Sequence, residues 1–317
     1  MGTATKVPET RDMSGEELSG DEAWAALRRY GGWALLRDAF VRFRYADGFS
    51  HSRALALQTV LALVPLTIAF VGLSTVVHTE NVGRLAELTI HRITRGPSSG
   101  VVDDALARGR STAGDGAAVA LWLCAAFSLV NVTTAMCQIE RGANRIYGNE
   151  RDRPFHLKYL RGLLMSVGAG LPLGLGFVVM VAGDDLASAA VTVYRLDSGT
   201  LAAWDVLRRP FGLLLALISA STVFRRSPRR KQPGYTWLAF GAAVYLVLWM
   251  TLTWLLSLYL EVSGSFDTVY GPLSAFMSLL LWAYLTSIAL FLGLAFAAQL
   301  EAARGLRPGP VEADPGV

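Results

Sequence analysis

Five long stretches of this chain carry no charge. Residues 54–77, 117–139, 162–183, 235–260 and 273–300 contain no Asp, Glu, Lys or Arg. A helix needs about 20 apolar residues to cross about 30 Å of hydrocarbon. One Asp, Lys or Arg at its centre costs about 2.5–3.5 kcal/mol on insertion scales. Five charge-free windows of that length predict five membrane spans. Composition agrees: 53% of the residues are hydrophobic and 17% are charged, against roughly 25% charged in typical soluble domains.

A sixth block, Pro210–Phe224, is shorter and is bracketed by Arg208 and Arg209 on one side and Arg225 and Arg226 on the other. Long Arg side chains reach the interface from a span of marginal length. Extending the helix back to Leu201 adds length but includes Asp205. Charge asymmetry argues for keeping this span, at about 209–224. With six spans, residues 1–53, 140–161, 225–234 and 301–317 share one side and hold 21 of the 29 Lys and Arg, leaving 8 on the other. The positive-inside rule then puts both termini in the cytoplasm. Without the span, the run Arg225–Lys231 falls outside. The expected fold is therefore all-α: a polytopic membrane helical bundle of about six transmembrane helices, N-in and C-in.

The flanks are mixed. Residues 1–20 and 305–317 are polar or rich in Pro and Gly and read as disordered tails around a membrane domain over 21–304. About fifty polar or mixed residues precede the first apolar block, so the first span is expected to act as the insertion signal. Residues 22–45 combine Trp24, Leu27, Leu35, Phe40 and Phe43 with Arg28, Arg29, Arg37, Arg42 and Arg44. That mixture suits an interfacial amphipathic helix on an anionic cytoplasmic leaflet, or one packed on the mouth of the bundle. Gly31-Gly32 is expected to break it. A second surface helix is expected where Val82, Leu85, Ala86, Thr89 and Ile93 follow helical spacing. Tyr235, Trp237, Tyr259 and Tyr270 stand near span ends, as interfacial aromatics do.

Polar groups inside the spans are the candidates for function. Gln58 and Thr59 lie in the first span, and Asn131, Thr133, Thr134 and Gln138 in the second. Asn131, Thr134 and Gln138 are three and four residues apart and share a helix face. Such a face lines a path for a solute or bonds neighbouring helices. Pro65 and Pro172 interrupt spans, and Pro210 and Pro272 stand at helix starts; a kink either presents backbone dipoles to a substrate or shapes packing. Gly168, Gly170, Gly174 and Gly176 include small-xxx-small spacings that favour close helix contact.

Catalytic chemistry finds little support. His51, His78, His91 and His156 are scattered and give no ligand pair, Cys124 and Cys137 are too far apart along one helix for a disulfide, and no nucleophile elbow or phosphate loop is present. No catalytic residue, metal, cofactor or nucleic-acid partner is expected. The expected partner is the lipid bilayer, including anionic lipid at the cytoplasmic face; the sequence is equally compatible with a monomer and a homo-oligomer.

Three stretches resemble the YihY/BrkB family of bacterial inner-membrane proteins, and the likeness covers roughly residues 35–303. Ala54–Leu66 is similar to the family's first span, with Pro65 at the fixed proline. Glu140–Phe155 resembles the segment after span two, with Asn144, Tyr147 and Gly148 in matching positions. Val269–Gly293 resembles the last-span signature through Tyr270, Gly271, Trp282, Tyr284 and Gly293. The chain departs from the family at Leu57-Gln58, where a Tyr pair is usual, and in the last span, where Ala295 and Ala297 replace an acid and an Asn. The resemblance implies a six-span protein of the bacterial plasma membrane without an established biochemical activity. Relatives are often labelled ribonuclease BN or serum-resistance factor, but metal-dependent RNA cleavage needs clustered ligands or paired carboxylates. Two readings follow: a permease-like or export protein for a lipid or small solute, and a non-catalytic scaffold or envelope-maintenance factor.

Overall fold

The computed structural model describes residues 19–76, 117–149, 153–181, 198–262 and 270–304, and every regular element among them is helical. Two short helices, α1 (Gly20–Tyr30) and α2 (Gly32–Tyr45), precede α3 (Gly48–Val76), α4 (Ala117–Ile146), α5 (Phe155–Val181), α6 (Ser198–Arg226), α7 (Tyr235–Val262) and α8 (Ser274–Arg304). A 3₁₀ turn at Gly271–Leu273 leads into α8. Four stretches, Leu121–Ile146, Val206–Arg226, Tyr235–Val262 and Phe276–Ala303, are long and apolar enough to cross a membrane. The surface helix expected around residues 82–93 and the tail at 305–317 lie outside the described residues, as does most of the tail expected at 1–20.

Each long helix packs on the next in the chain, and α8 returns to pack on α3, so the six close into a ring. Neighbours run antiparallel. Ser128 on α4 donates to the Ala62 carbonyl on α3 at 2.8 Å, and Gln138, ten residues on, meets His51 at 2.9 Å. On α5 and α6, Ser219 donates to the Ala169 carbonyl at 2.6 Å, and Arg161 donates to the Arg226 carbonyl. The alternation gathers the starts of α3, α5 and α7 and the ends of α4, α6 and α8 at one end. Because the Arg-rich connections 147–154 and 227–234 join helices there, we call it the basic end.

The main core sits toward that end, around Phe43, Ile146, Phe224, Trp237, Phe291 and Leu300. A smaller core joins Ala56 and Val60 to Ala283, flanked by Trp282 and Tyr284. The outside of the ring carries exposed Trp122, Leu123, Val247 and Trp254. Apolar surface of that kind is stable against lipid rather than water.

Several local expectations change. Helix breaking at Gly31 holds, with φ +80° there, and α2 packs on α8 at the mouth of the ring. Pro210 lies inside α6, not at its start, and α3 and α5 likewise run through Pro65 and Pro172. A proline removes one backbone bond, and a long helix supported on both sides tolerates that. Added methyl groups at Gly168, Gly170 and Gly174 would meet nothing within 4 Å, so these glycines do not mediate close contact. Gly176 does, against the Gly212 carbonyl, as does Gly162 against the Thr133 carbonyl. Spacing cannot tell which face of a helix meets a neighbour. Trp237 is fully buried in the core rather than placed as an interfacial anchor.

Candidate functional site

The polar residues expected to form a membrane face divide into two kinds. Asn131 Nδ2 donates to the Phe127 carbonyl at 2.8 Å, and Thr134 Oγ1 donates to the Val130 carbonyl at 2.7 Å. Both bonds return to the preceding turn of α4, so these groups satisfy themselves. Gln138 is different: it is buried and its Nε2 lies 2.9 Å from Nδ1 of His51 on α3. Gln58 stands two turns beyond His51, and the α3–α4 register places it level with residues 131–132. Its Oε1 is buried without a hydrogen-bond partner.

A denser polar assembly occupies the basic end. It begins with α2, whose buried face is Leu35, Ala39, Arg42 and Phe43. Arg42 points inward with them. Its Nε donates to Gln299 Oε1 on α8 at 3.0 Å, and Nη1 donates to the Ile146 carbonyl, the last of α4, at 3.3 Å. Directly after Ile146, Tyr147 is 2% exposed. The Arg230 guanidinium stacks over its ring, 4.7 Å from the centroid. Arg230 also pairs with Glu301 of α8, and both side chains are buried. Thus α2, the end of α4, the connection 227–234 and the end of α8 meet through one buried cluster.

Electrostatics follow from burial. Loss of solvent lowers the Arg42 pKa to about 10, still far above neutrality, so the side chain stays charged. Burial first, and then the Glu301 charge, push the Tyr147 hydroxyl upward. It therefore keeps its proton and remains a donor.

A second group of contacts anchors the same connections. Asn144 Oδ1 accepts the Arg229 backbone N–H at 2.7 Å, and the Asn144 carbonyl accepts the Asn149 N–H at 2.8 Å. Gly148 has φ +76°, a left-handed conformation that glycine adopts without strain and that turns the chain after α4. Arg153 forms an ion pair with Glu140 at 2.7 Å and donates to the Ser227 and Pro228 carbonyls at 3.2 and 3.1 Å. Arg161 adds two bonds to the Arg226 carbonyl at 3.1 and 2.7 Å. Cations here cap the orphan carbonyls at the end of α6.

The motif residues thus serve different places. Asn144, Tyr147 and Gly148 build the basic end. Gly293 lies at the α7–α8 crossing, where an added methyl would come 2.7 Å from the Gly241 carbonyl. Trp282 and Tyr284 flank the smaller core, Tyr270 is exposed, Gly271 opens the 3₁₀ turn and Pro65 lies within α3. Ala295 and Ala297 are fully buried in the core, which leaves the carboxylate of this helix at Glu301. Sequence reasoning missed Arg42, Arg230, Gln299 and Glu301 as a unit. The readable signal was Arg42 on the otherwise apolar 35–39–43 face. Among the described residues, no group of three His, Cys, Asp or Glu could hold a metal ion.

Comparison with known proteins finds relatives that are named membrane proteins. The family model described as virulence factor BrkB matches residues 39–314. The chain is 22% identical over 274 residues to YfkH of Bacillus subtilis (strain 168), named a ribonuclease-like protein, covering 82% of this chain and 92% of that one. It is 26% identical over 279 residues to a UPF0761 membrane protein of Azotobacter vinelandii, covering 87% of this chain and 65% of the relative. A UPF0761 membrane protein of Rhodospirillum centenum is 26% identical over 281 residues, with coverage of 86% and 60%. The chain therefore spans less than two thirds of the length of those two relatives. No solved structure matches. Apolar helices long enough to cross a bilayer and a family match over most of its length agree: the chain is a membrane protein and belongs to the BrkB family.

Proposed function

We propose that this chain is a permease-like protein that moves a lipid or small solute across the bacterial plasma membrane, with six spans and both termini in the cytoplasm. The observation that carries the reading is the closed ring of six antiparallel helices, stapled at the basic end by charged groups among the described residues. Such a bundle can open between helices while its basic end holds together. Gln58, with its buried Oε1 unpartnered partway along α3, supplies a polar group on the route. The concentration of Arg at the stapled end supports placing that end in the cytoplasm. The α1–α2 pair fits the same placement. Trp33, Arg37, Phe40 and Arg44 follow one exposed face of α2, suited to an anionic leaflet.

Reconstitution of the full chain into liposomes with a panel of labelled lipids and solutes tests this. Movement of one class above protein-free vesicles, reduced by Gln58→Leu, supports it. Folded protein that moves none of them leaves the scaffold role as the better reading. A cysteine placed near either terminus is expected to resist a membrane-impermeant label in intact cells; labelling there overturns the orientation.

A further inference from the structure

Cations at the surface of the basic end outnumber the acids near them. Residues 140–161 and 225–234 hold 11 Lys and Arg against 3 Asp and Glu. Two buried carboxylates reach this end, Glu140 and Glu301, and Arg153 and Arg230 already pair with them. Arg225 and Arg226 are exposed, and among the described residues no ion pair includes either. Arg225 stands out in two further ways. Its guanidinium lies over the ring of Tyr235, at the start of α7, 4.3 Å from the centroid. It also ends a stripe on α6. Phe211, Leu214, Ile218, Thr222 and Arg225 are all exposed, and their spacing puts them on one helix face. Thr222 Oγ1 donates to the Ile218 carbonyl at 2.8 Å, so it adds no unmet polar group to that face. At 1.5 Å per residue the stripe runs about 21 Å, more than the roughly 15 Å of hydrocarbon in one leaflet.

We propose that this face of α6 binds one anionic phospholipid, with its phosphate on Arg225 and an acyl chain along Phe211, Leu214 and Ile218. Guanidinium is the side chain best matched to a phosphate, because its fork meets two oxygens at once. Stacking on Tyr235 orients the fork before the lipid arrives, which lowers the cost of ordering a long side chain. The apolar stripe serves any acyl chain, so the headgroup makes the choice. A zwitterionic headgroup brings its own cation to a surface already rich in them, whereas an anionic one does not. Every group in the site is exposed, so the lipid enters from the bilayer without displacing a side chain. Diffuse charge would gather anionic lipid all along this end. An oriented arginine in line with an apolar face makes one place preferred. The inference needs no transport and stands or falls apart from it.

The test uses the full chain in nanodiscs, with Cys124 and Cys137 replaced by Ala and a fluorophore on Ile218→Cys. Phosphatidylglycerol with brominated chains is compared with brominated phosphatidylcholine at equal mole fraction; the same bromines on both lipids cancel the effect of depth. Quenching at position 218 is expected to be stronger with phosphatidylglycerol. A fluorophore on Leu123→Cys, on the exposed side of α4, is expected to respond equally to the two lipids. Arg225→Gln is expected to weaken the apparent affinity for phosphatidylglycerol at position 218 about tenfold. Tyr235→Leu keeps every charge and is expected to weaken it about two- to fivefold, the worth of an exposed cation–π contact. Arg229→Gln removes one charge from the same end, off the stripe, and is expected to leave the affinity unchanged. Equal quenching by the two lipids at position 218 overturns the proposal. So does an effect of Arg229→Gln as large as that of Arg225→Gln, which would mean diffuse charge and no site.

Discussion

The two halves of the ring solve the problem of buried polarity in opposite ways. Along the spans, many hydroxyls and amides bond within their own helices: Thr59 to the Leu55 carbonyl, Asn131 to Phe127, Thr134 to Val130, Thr251 to Val247 and Ser287 to Ala283, while Ser128 and Ser219 each make one neutral bond to a neighbouring helix. Each bond within a helix spans one turn and holds nothing to its neighbour. At the basic end the bonds join elements far apart in sequence: Arg42 to Gln299, Asn144 to Arg229, Arg230 to Glu301 and Arg153 to Glu140. A helix that satisfies its own polar groups slides or tilts against its neighbours at little electrostatic cost. One that shares a buried charge does not. Among the described residues, the molecule is therefore fastened by charge at one end and held farther along by packing and a few neutral bonds.

The largest expected effect breaks the fastening. Glu301→Ala leaves Arg42 and Arg230 buried with no described carboxylate beside them, and removing one member of a buried pair typically costs about 3–5 kcal/mol. Thermal unfolding in detergent is expected to show that loss, with reduced yield of folded protein. Arg230→Gln combined with Glu301→Gln is expected to recover part of it, since no carboxylate is then left unpaired. If Glu301→Ala unfolds at the temperature of the unaltered protein, the basic end is not a staple.

A second experiment asks how far close packing holds the rest. Gly241 and Gly293 let α7 and α8 touch backbone to backbone, and an added Cβ at either would lie 2.7 Å from the opposing carbonyl. Gly293→Ala is expected to destabilise by about 1–3 kcal/mol through overpacking. Gly174→Ala, where nothing lies within 4 Å, is expected to be neutral or to stabilise by up to about 1 kcal/mol through helix propensity. Equal losses at the two positions would contradict the α7–α8 crossing.

These positions also mark where the sequence is readable and where it is not. Runs free of charge announce the long helices because the bilayer penalises every charge within them. They announce spans, however, and not helix ends. Helix α4 continues past the apolar block to Ile146, and α6 starts at Ser198, well before Pro210. Charge counting assigns Arg42, Arg230 and Glu301 to one side of a bilayer but names no partner. The partners are separated by 71 residues for Arg230 and Glu301 and by 257 for Arg42 and Gln299. Asn144, Tyr147 and Gly148 were legible through resemblance alone. What the resemblance could not supply is that Tyr147 lies beneath Arg230. Gly170 and Gly174 show the converse, since a spacing that favours contact carries no information about which face finds a neighbour.

The smallest expected effects separate two amides on α4. Gln138→Leu removes the bond to His51 and is expected to cost about 0.6 kcal/mol, the usual size of an interhelical bond in a membrane. Asn131→Leu removes only a bond to the preceding turn and is expected to lie within about 0.5 kcal/mol of neutral. Stability alone discriminates them poorly, so both belong in the liposome assay as well. Gln138 lies near the basic end, and its bond to His51 tethers α4 to α3; Asn131 lies level with Gln58, away from the fastened end. If solute or lipid passes along the α3–α4 face, Asn131→Leu is expected to lower flux while leaving unfolding unchanged, and Gln138→Leu to do the reverse. Flux insensitive to Asn131→Leu and Gln58→Leu together would show that polarity within the spans serves the helices themselves, and that any route lies elsewhere in the ring.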